Sequence, residues 1–296
     1  MKPCFSIIGL GEVLWDLFPD GARFGGAPAN VACAAAGLLG AESVVTLVSA
    51  LGDDRRGREA VSFLEQRHVD VSALQITGAP TGTVTVKLDD SGQALFNISD
   101  NSAWDHIVWS EQWRALAANA DAICFGSLAQ RGDTSRQTIQ KFISATSASS
   151  LKVFDMNLRA PFYAPDTLVQ SLELANVLKL NDEELCVIAA ILSIPGDSID
   201  VLKTLQDDYQ INIIALTQGA AGAVLLDQSK TVNVPSVPTT VVDTVGAGDA
   251  FTAALIIGLL KDQALSEIAY FATGVSSYVC SQRGASPRLP DWIRRW

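Results

Sequence analysis

The sequence predicts an α/β fold in which a mostly parallel sheet lies between layers of helices. The predicted strands are apolar segments, and several are continuous apolar runs, which is typical of strands covered on both faces. These segments are 5–13, 43–51, 121–128, 151–158, 175–181, 211–219 and 221–227. Helical patterns separate them, for example at 29–40, 58–68 and 135–146. Strands that alternate with helices along a chain favour a parallel sheet with helices on its faces.

The length and composition are those of a folded globular protein. The chain has 296 residues, of which 48% are hydrophobic and 18% are charged, so it can bury a sizeable core. The length suits one large domain or two smaller ones, and no low-complexity linker or internal repeat marks a boundary. The net charge of -11 argues against a nucleic-acid partner, because a nucleic-acid surface needs lysine and arginine to displace counterions.

Targeting and redox features predict a cytoplasmic protein with no membrane segment. The N-terminal segment 1–16 has a short apolar run and early acids, and it is predicted to be a first strand rather than a signal peptide. The longest apolar stretch, 250–260, is too short to span a bilayer. The five cysteines form no CxxC pair and lie mostly in apolar runs, which favours a reducing compartment. The two histidines argue against a histidine-rich metal site.

Residues 81–99 interrupt the alternation of strands and helices. Thr83, Thr85 and Lys87 alternate with apolar residues. Residues 90–92 have a turn sequence, so the segment is predicted to be a half-exposed β-hairpin. The pattern leaves three interpretations open, namely a lid, an interface and a plain surface excursion.

The strongest chemical signal is the segment 243–249 (DTVGAGD), which leads into an apolar helix predicted at 250–260. Glycines at a helix start leave backbone amides free, and these amides bind anionic oxygens with the help of the helix dipole. Asp249 has two interpretations here, a helix cap or a general base beside an anion hole for phosphoryl transfer. The chain has no GxxxxGK[ST] motif, and its N-terminal glycine pair lacks the third glycine of a dinucleotide fingerprint. A P-loop and a dehydrogenase are therefore disfavoured.

A second glycine-rich segment suggests a sugar site. Gly25 and Gly26 allow the backbone to approach a ligand closely, and Asn30 can both donate to and accept from sugar hydroxyls. Asp16 lies just beyond the first predicted strand, where open α/β sheets bind ligands. Taken alone, Asp16 also fits a solvated loop acid.

Together these segments resemble the two signatures of the ribokinase (PfkB) family of carbohydrate kinases. The first is GEVLWDLFPDG…FGGAPANVACAAAGLLG within 11–40, and the second is DTVGAGDAFTAAL at 243–255. Family-like elements follow in the expected order between them, namely LGDDRRG, FDMNLR, LKLNDEEL and LTQGAAGAVL. The form GGAPANVA looks most like the fructokinase branch. The resemblance implies a three-layer α/β/α sandwich as one domain over 1–296, with a discontinuous β lid at about 12–27 and 81–100.

The resemblance also implies roles for individual residues. Asp249 matches the catalytic base of the family. The positions that match its anion hole are Gly246, Ala247 and Gly248. The positions on the sugar side are Asp16, Gly25, Gly26, Asn30, Phe96, Ile98 and Arg159. The positions on the ATP side are Asn181, Thr217, Gly219, Gly222 and Gly248. Two of these residues keep a structural alternative, a helix cap for Asn181 and a surface salt bridge for Arg159.

Two cations enter by the same resemblance. Asn181 and Glu184 match an NxxE element that helps to organise Mg²⁺ and phosphate, with Glu184 acting largely through water. Many family members also use a monovalent cation, commonly K⁺. Its first ligands here would be Asp243 and the carbonyl of Val245, with others from 280–285.

The expected function is transfer of the γ-phosphoryl group of Mg-ATP to a primary hydroxyl of a small sugar, with fructose as the first candidate. The lid sequence at 92–105 lacks the basic and aromatic residues typical of fructokinases. Another sugar (ribose or 2-keto-3-deoxygluconate) or a nucleoside therefore stays open, as does a sugar- or nucleotide-binding protein without catalysis. Trp15 and Phe18 fit either an apolar wall of the pocket or the core of the lid. The expected partners are the sugar and ATP, without a membrane, and with a homodimer through the lid as a further expectation.

Overall fold

The computed structural model describes residues 4–40, 43–88 and 94–295, and it describes the backbone alone at 86–88, 94–96 and 295. Strands β1 to β13 span, in chain order, Phe5–Leu10, Leu14–Phe18, Gly21–Gly25, Ser43–Gly52, Leu74–Thr77, Gly82–Leu88, Ala94–Ile98, Ala122–Phe125, Leu151–Asp155, Val177–Asn181, Ile213–Thr217, Ala223–Leu226 and Thr231–Val234. Helices α1 to α9 span Ala27–Leu39, Arg55–Gln66, Gln112–Ala118, Asp133–Ser144, Pro165–Leu174, Asp182–Leu192, Ser198–Tyr209, Ala247–Leu260 and Leu265–Cys280.

Among the described residues, nine strands form one large sheet in the order β13-β12-β11-β10-β9-β8-β1-β4-β5. Neighbouring strands from β11 to β5 in this order are parallel, whereas β12 and β13 pair antiparallel at one edge. Parallel neighbours need crossover connections, and helices supply most of them here. The prediction of an α/β fold with a mostly parallel sheet is confirmed.

Helices cover both faces of the large sheet. Ile7 and Ile8 are neighbours in β1 and both are fully buried, yet they belong to two separate clusters of core side chains. One cluster joins the sheet to α1, α8 and α9, and the other joins it to α4, α5 and α7. Successive side chains of a strand point to opposite faces, so a strand covered on both faces is apolar at every position. This arrangement explains the apolar runs that show no alternation.

A second sheet of four strands, in the order β3-β2-β6-β7, is built from two separate segments of the chain. Strands β6 and β7 pair antiparallel with Val84 opposite Ile98, which is the pairing predicted for a hairpin over 81–99. Strand β2 pairs parallel with β6 and antiparallel with β3, so the residues that follow β1 join the same sheet. The turn predicted at 90–92 lies outside the described residues.

Some strands end earlier than the apolar runs predict. Strand β1 ends at Leu10, β8 at Phe125 and β9 at Asp155. Beyond β9, Asn157 has a φ of 40°, which is in the left-handed region that an extended strand excludes. The residues that follow these strands therefore form loops at the carboxyl edge of the sheet.

The cysteines occupy mixed environments. Cys33 and Cys124 are buried and Cys280 is partly buried, whereas Cys4 and Cys186 are exposed. The expectation that cysteines fill apolar positions is therefore wrong for Cys4 and Cys186. In the part of the chain that the structure describes, no helix has the length and apolar character needed to cross a membrane.

Candidate active site

A cleft of about 1200 Å³ is lined by residues from the carboxyl edge of the large sheet and from the second sheet. It brings together most of the predicted site residues, because the carboxyl ends of parallel strands meet at one edge. Those that line it are Asp16, Gly25, Gly26, Asn30, Ile98, Arg159, Asn181, Thr217, Gly219, Gly222, Val245, Gly246, Ala247, Gly248 and Asp249. Glu184 and Asp243 do not line it. The side chain of Phe96 lies outside the described part of the chain.

The start of α8 is an open anion site. Gly246 precedes the helix with a φ of 80°, and a side chain there would overlap the backbone of Ala285. No side chain caps this helix, and the amides of Gly248 and Asp249 have no acceptor among the described residues. Unpaired amides at a helix start attract anionic oxygens, and the helix dipole adds to this effect. The backbone at 246–249 can therefore bind anionic oxygens such as those of a phosphoryl group.

Asp249 stands in the first turn of α8 with one carboxylate oxygen engaged and the other available. Its Oδ2 accepts a hydrogen bond from Asn30 Nδ2 at 2.8 Å, whereas its Oδ1 has no partner within the described ranges. Burial and the nearby Asp155 raise the pKa of Asp249 to about 6, against the lowering effect of Asn30 and of two cations. The N-cap position belongs to Gly246, so Asp249 does not cap the helix. Its Oδ1 can accept a proton from a ligand in the cleft.

A buried ion pair lies next to the open helix start. Lys179 Nζ donates to Asp155 Oδ1 at 3.1 Å, and Asp155 Oδ2 accepts from Thr252 Oγ1 at 2.7 Å. Burial lowers the pKa of Lys179, but the surrounding carboxylates, Asp155 first, outweigh burial and raise the pKa, so the ammonium is charged. A side chain at Gly248 would come within 2.9 Å of Lys179 Nζ. The ammonium therefore adds positive charge beside the unpaired amides.

Lys179 and Asp155 are missing from the predicted site residues. Lys179 is the charged residue within the apolar strand VLKLN, and a lysine in a strand that is covered on both faces requires a buried partner. That signal was present in the sequence. The partner was not, because only the strand order places β9 beside β10 with Asp155 opposite Lys179.

Glu12 closes the start of α1 and is also missing from the predicted site residues. Its Oε1 accepts from the amide of Ala27 at 3.1 Å, and its Oε2 is buried without a partner in the described part of the chain. Burial raises the pKa of Glu12 to about 7, and the charge of Asp249 adds to this effect. A single acid after a strand gives no sign of its burial, so sequence patterns could not assign it this place.

Asp16 contributes a carboxylate from the second sheet. It is partly buried in β2 and lines the cleft. Burial raises the pKa of Asp16 to about 6, partly offset by Arg159 and Arg23. Arg159 is exposed, lines the cleft and forms no salt bridge with the described residues; its guanidinium donates to the carbonyl of Leu158. The predicted surface salt bridge of Arg159 is thus not found in the described structure.

The two aromatic residues beside Asp16 have different surroundings. Phe18 lines the cleft, and the Arg23 guanidinium lies 3.9 Å from the centre of its ring. Trp15 packs edge-on against Phe24, and its indole nitrogen donates to the carbonyl of Arg56 in α2. Side chains alternate between the two faces of a strand, so Phe18 shares the face of Asp16 and Trp15 takes the other. Phe18 is a wall of the cleft and Trp15 belongs to the packing behind it.

Asn181 and Glu184 form a capping box at the start of α6. Asn181 Oδ1 accepts from the Glu184 amide, and Glu184 Oε2 accepts from the Asn181 amide, both at 2.9 Å. Glu184 Oε1 also accepts from the amide of Leu158 at 2.9 Å. Burial raises the pKa of Glu184. Asn181 thus caps the helix and also lines the cleft, whereas Glu184 holds two loops together behind its wall.

Asp243 links the loop before α8 to the loop after α9. Its Oδ1 accepts from the amide of Val245 and its Oδ2 from the amide of Gly284, both at 3.0 Å. Its own amide donates to the carbonyl of Cys280. Among the residues that the structure describes, no group of three or more histidine, cysteine, aspartate or glutamate residues could hold a metal ion. A cation between these loops would depend mainly on backbone carbonyls.

The fold and this site agree with the comparisons to known proteins. The model of the pfkB family of carbohydrate kinases matches residues 21–292. The chain therefore belongs to the pfkB family of carbohydrate kinases, and it is a phosphotransferase that acts on a sugar hydroxyl.

Its relatives include fructokinases. The chain is 32% identical over 300 residues to a fructokinase of Klebsiella pneumoniae, covering 95% of each chain. It is 30% identical over 310 residues to a sugar kinase of Pyrococcus horikoshii, covering 97% of this chain and 94% of that one. A crystal structure of the P. horikoshii protein in complex with ATP superimposes with a TM-score of 0.77, at 27% identity and covering 95% and 94% of the two chains. A fructokinase of Vibrio cholerae O395 with fructose, ADP and a calcium ion bound gives a TM-score of 0.81, at 25% identity and covering 97% and 96%.

Proposed function

We propose that this sugar kinase transfers the γ-phosphoryl group of Mg-ATP to a primary hydroxyl of its substrate, and that fructose is that substrate. The observation that carries the proposal is the juxtaposition of Asp249 and the unpaired amides of α8 in one cleft. Phosphoryl transfer to a hydroxyl needs a group that takes the proton and donors that stabilise the charge on the transferred group. The first turn of α8 offers both.

In the proposed reaction the sugar hydroxyl lies against Asp249 Oδ1. The proton passes to this carboxylate while the hydroxyl oxygen bonds to the γ-phosphorus and the bond from that phosphorus to the ADP oxygen breaks. A pKa of about 6 leaves Asp249 ionised at neutral pH and makes it a stronger base than an ordinary aspartate. The amides of Gly248 and Asp249, with the Lys179 ammonium beside them, stabilise the charge on the transferred group.

The sugar side of the cleft suits a neutral, hydroxyl-rich ligand. Carboxylates accept from hydroxyls, and Asp16 lies on this wall beside the apolar side chains of Phe18 and Ile98. A side chain at Gly25 would come within 2.8 Å of Asp16 Oδ2, so a glycine here keeps that oxygen clear. Fructose as the substrate is supported by the Klebsiella relative, which is a fructokinase, and by the Vibrio neighbour, which binds fructose.

ATP is assigned to the other end of the cleft. The P. horikoshii neighbour binds ATP, which supports the same nucleotide here. The turn after β11 carries Thr217, Gly219 and Gly222, and the Gln218 amide donates to the carbonyl of Gly222 at 2.8 Å to close it. This turn and Asn181 line the same cleft as the first turn of α8.

The donor set fits hydrated Mg²⁺ that the nucleotide phosphates carry. Both oxygens of Glu184 already accept backbone amides, so it would act on the ion through water, with Asn181 beside it. When bound, the ion supplies positive charge to the phosphates. A K⁺ ion is proposed beside Asp243 and the carbonyl of Val245, which is supported by the way Asp243 joins the two loops.

The second sheet is proposed to act as a lid over the sugar, formed by segments 12–27 and 81–100 of one domain that spans 1–296. Closure of a lid excludes water and limits hydrolysis of ATP. A homodimer through this lid and a cytoplasmic location complete the proposal. Light scattering of the purified protein tests the dimer.

The experiment that tests this function is coupled ADP production with Mg-ATP, with and without K⁺. The acceptors are fructose, ribose, 2-keto-3-deoxygluconate and a set of nucleosides. The Asp249→Asn variant, purified in the same way, is the control for contaminating kinases.

Turnover with fructose that the variant lacks supports the proposal. Turnover with another acceptor keeps the kinase mechanism and overturns the choice of fructose. Sugar and ATP binding by calorimetry, with no turnover on any acceptor, overturns catalysis and favours a binding protein.

A further inference from the structure

Ser286 holds Asn30 in one orientation against Asp249. Ser286 Oγ donates to Asn30 Oδ1 at 3.0 Å, and Asn30 Nδ2 donates to Asp249 Oδ2 at 2.8 Å. Ser286 lies in the loop after α9, Asn30 in α1 and Asp249 in α8, so three separate elements meet in one chain of hydrogen bonds. Asn30 is only 4% exposed, so its side-chain amide is almost wholly shielded from solvent.

The donors in this chain have one consistent order. A carboxylate only accepts, so the Asn30 amide group must turn its NH₂ toward Asp249. The amide oxygen then faces Ser286, and the Ser286 hydroxyl must donate to it. Cys33 lies one turn further along α1, and burial raises the pKa of its thiol to about 12, so the thiol keeps its proton and adds no charge near Ser286.

We propose that Ser286 is a positioning residue for the catalytic base. Its hydroxyl fixes the Asn30 amide so that the NH₂ group binds Asp249 Oδ2, which reserves Oδ1 for the hydroxyl of the sugar. The inference rests on the proposed function of Asp249 and adds a residue that does not line the cleft.

Without the Ser286 hydroxyl, the side-chain amide of Asn30 would no longer be held in one orientation. The Asn30 amide could then rotate by half a turn and place its oxygen toward Asp249, where two acceptors repel each other. A carboxylate that loses a donor is less easily ionised, so the pKa of Asp249 would rise. Less of the base would then be available below neutral pH, although catalysis at higher pH would persist.

Other titratable and charged groups also face Asp249. They come from the loops after β1 and β9 and from strands β8, β9 and β10, and they are Glu12, Cys124, Asp155, Arg159 and Lys179. Ser286 Oγ donates to Asn30, and none of these groups is a hydrogen-bond partner of its side chain in the described part of the chain. A substitution at Ser286 therefore leaves these charges in place, and its effect reaches Asp249 through Asn30.

The test compares Ser286→Val with Ser286→Thr, which have nearly the same shape and differ in the hydroxyl. The kcat/KM for the sugar found active is measured from pH 5 to pH 9. We expect the acidic limb of the valine variant to move up by about half a unit to one unit, the equivalent of one lost hydrogen bond. At pH 6 its kcat/KM falls about two- to sixfold, and near pH 8.5 it returns to within about twofold of wild type. The threonine variant keeps the wild-type profile.

A matched control removes a buried hydroxyl elsewhere. Ser150 Oγ donates to the carbonyl of Ala120 at 2.6 Å, and Ser150→Ala should lower stability without moving the acidic limb. If the valine variant does not fold, Ser286→Ala takes its place. An active variant without the hydroxyl whose acidic limb is unchanged overturns the proposal, as does an equal shift in the threonine variant.

A readout without substrate separates this proposal from the kinase function. The free energy of unfolding of each protein, minus that of its Asp249→Asn counterpart, is followed from pH 4 to pH 8 and reports the pKa of Asp249. If wild type shows no turnover but the valine variant still shifts this pKa, the kinase function is wrong and the positioning of Asp249 stands. If the pKa does not shift, the positioning is wrong whatever the activity.

Discussion

Two helices begin at the cleft, α1 and α8. At the first turn of α1 a carboxyl group binds a backbone amide, whereas at the first turn of α8 no described side chain does. Each follows a glycine with a positive φ, 110° at Gly26 and 80° at Gly246. At α1 the Glu12 carboxyl accepts from the amide of Ala27, and Pro28 has no amide hydrogen. At α8 no side chain caps the helix, and two amides of its first turn are unpaired among the described residues.

The difference divides the cleft into two ends. The carboxyl group of Glu12 lies at the positive end of the α1 dipole and fills the place that a phosphate would take there. The start of α8 keeps its amides for an incoming anion, and Lys179 adds positive charge beside them. In the proposed reaction the same backbone feature, a glycine before a helix, lies beside the neutral sugar at α1 and beside the phosphoryl group at α8. What decides between the two is whether a side chain caps the helix.

The largest expected effect is the loss of kcat on substitution of Asp249 in the first turn of α8. Asp249→Asn keeps the size of the side chain and removes the proton acceptor, so we expect kcat to fall about 10²- to 10⁴-fold. The amides of α8 stay in place, so the affinity for ATP should change little. Steady-state kinetics and calorimetry with ATP measure the two quantities. A fall in kcat of less than about tenfold would show that Asp249 is not the base.

Lys179, the cation beside the start of α8, should contribute mainly to the free energy of unfolding and to the positive charge near the unpaired amides. Lys179→Met leaves Asp155 buried without its cation, which should cost about 3–5 kcal/mol of unfolding free energy. The double variant Lys179→Met/Asp155→Asn should regain most of this stability, because a neutral amide needs no counter-charge. Turnover should stay low in both variants. Urea unfolding gives the comparison, and a double variant as unstable as the single one would refute the ion-pair explanation.

Glu12, whose carboxyl group binds the first amide of α1, should make the free energy of unfolding depend on pH. The folded-state pKa of Glu12 is about 7, above its ordinary value of 4.5, so the folded protein holds this proton more tightly than the unfolded chain does. The stability that Glu12 contributes is complete below about pH 4.5 and is lost as the pH rises through about 7, a change of about 3 kcal/mol.

Glu12→Gln should remove this part of the pH dependence. Between pH 5 and pH 8 the unfolding free energy of the variant should fall less than that of wild type, as measured by urea unfolding at both pH values. Parallel curves for the two proteins would mean that Glu12 is not held in its neutral form.

The smallest expected effect concerns the second turn of α8. Thr252 Oγ1 donates to Asp155 Oδ2 at 2.7 Å and is fully buried. Thr252→Val keeps the shape and removes this donor, which should cost about 1–2 kcal/mol. Thr252→Ser keeps the hydroxyl and should retain the hydrogen bond. Equal losses in both variants would assign the effect to packing rather than to the bond with Asp155.

The central strands could be predicted from the sequence, whereas edge strands could not. The apolar runs at β1, β4, β8, β9, β10, β11 and β12 mark strands that are buried on both faces or nearly so. Strands β5 and β13 were missed. Each has only four residues and is partly buried, so its alternation of apolar and polar residues is too short to distinguish a strand from a loop.

The residues of the candidate site also differ in whether they could be predicted from the sequence. Motif residues such as Asp16, Asn30 and Asp249 could be proposed because they lie in short segments whose spacing is local, and the cleft brings them together. Their roles in catalysis stay predictions. The sequence marks Lys179 as a charged residue in an apolar strand, but the partners of Lys179 and Ser286 could not be predicted, because they lie in distant elements.

By itself the sequence determined the alternation of strands and helices, the glycine before α8 and the acid in its first turn. These features depend on local backbone preferences and on side-chain periodicity, which neighbouring residues encode. Only the tertiary structure decided that the Glu12 carboxyl group binds the first amide of α1 while no described side chain caps α8. It also decided that Lys179 lies opposite Asp155 and that Ser286 contacts Asn30 across 256 residues of chain. Contacts of this kind arise from packing between distant segments, and burial in that packing is what raises the pKa of the carboxyls in the cleft.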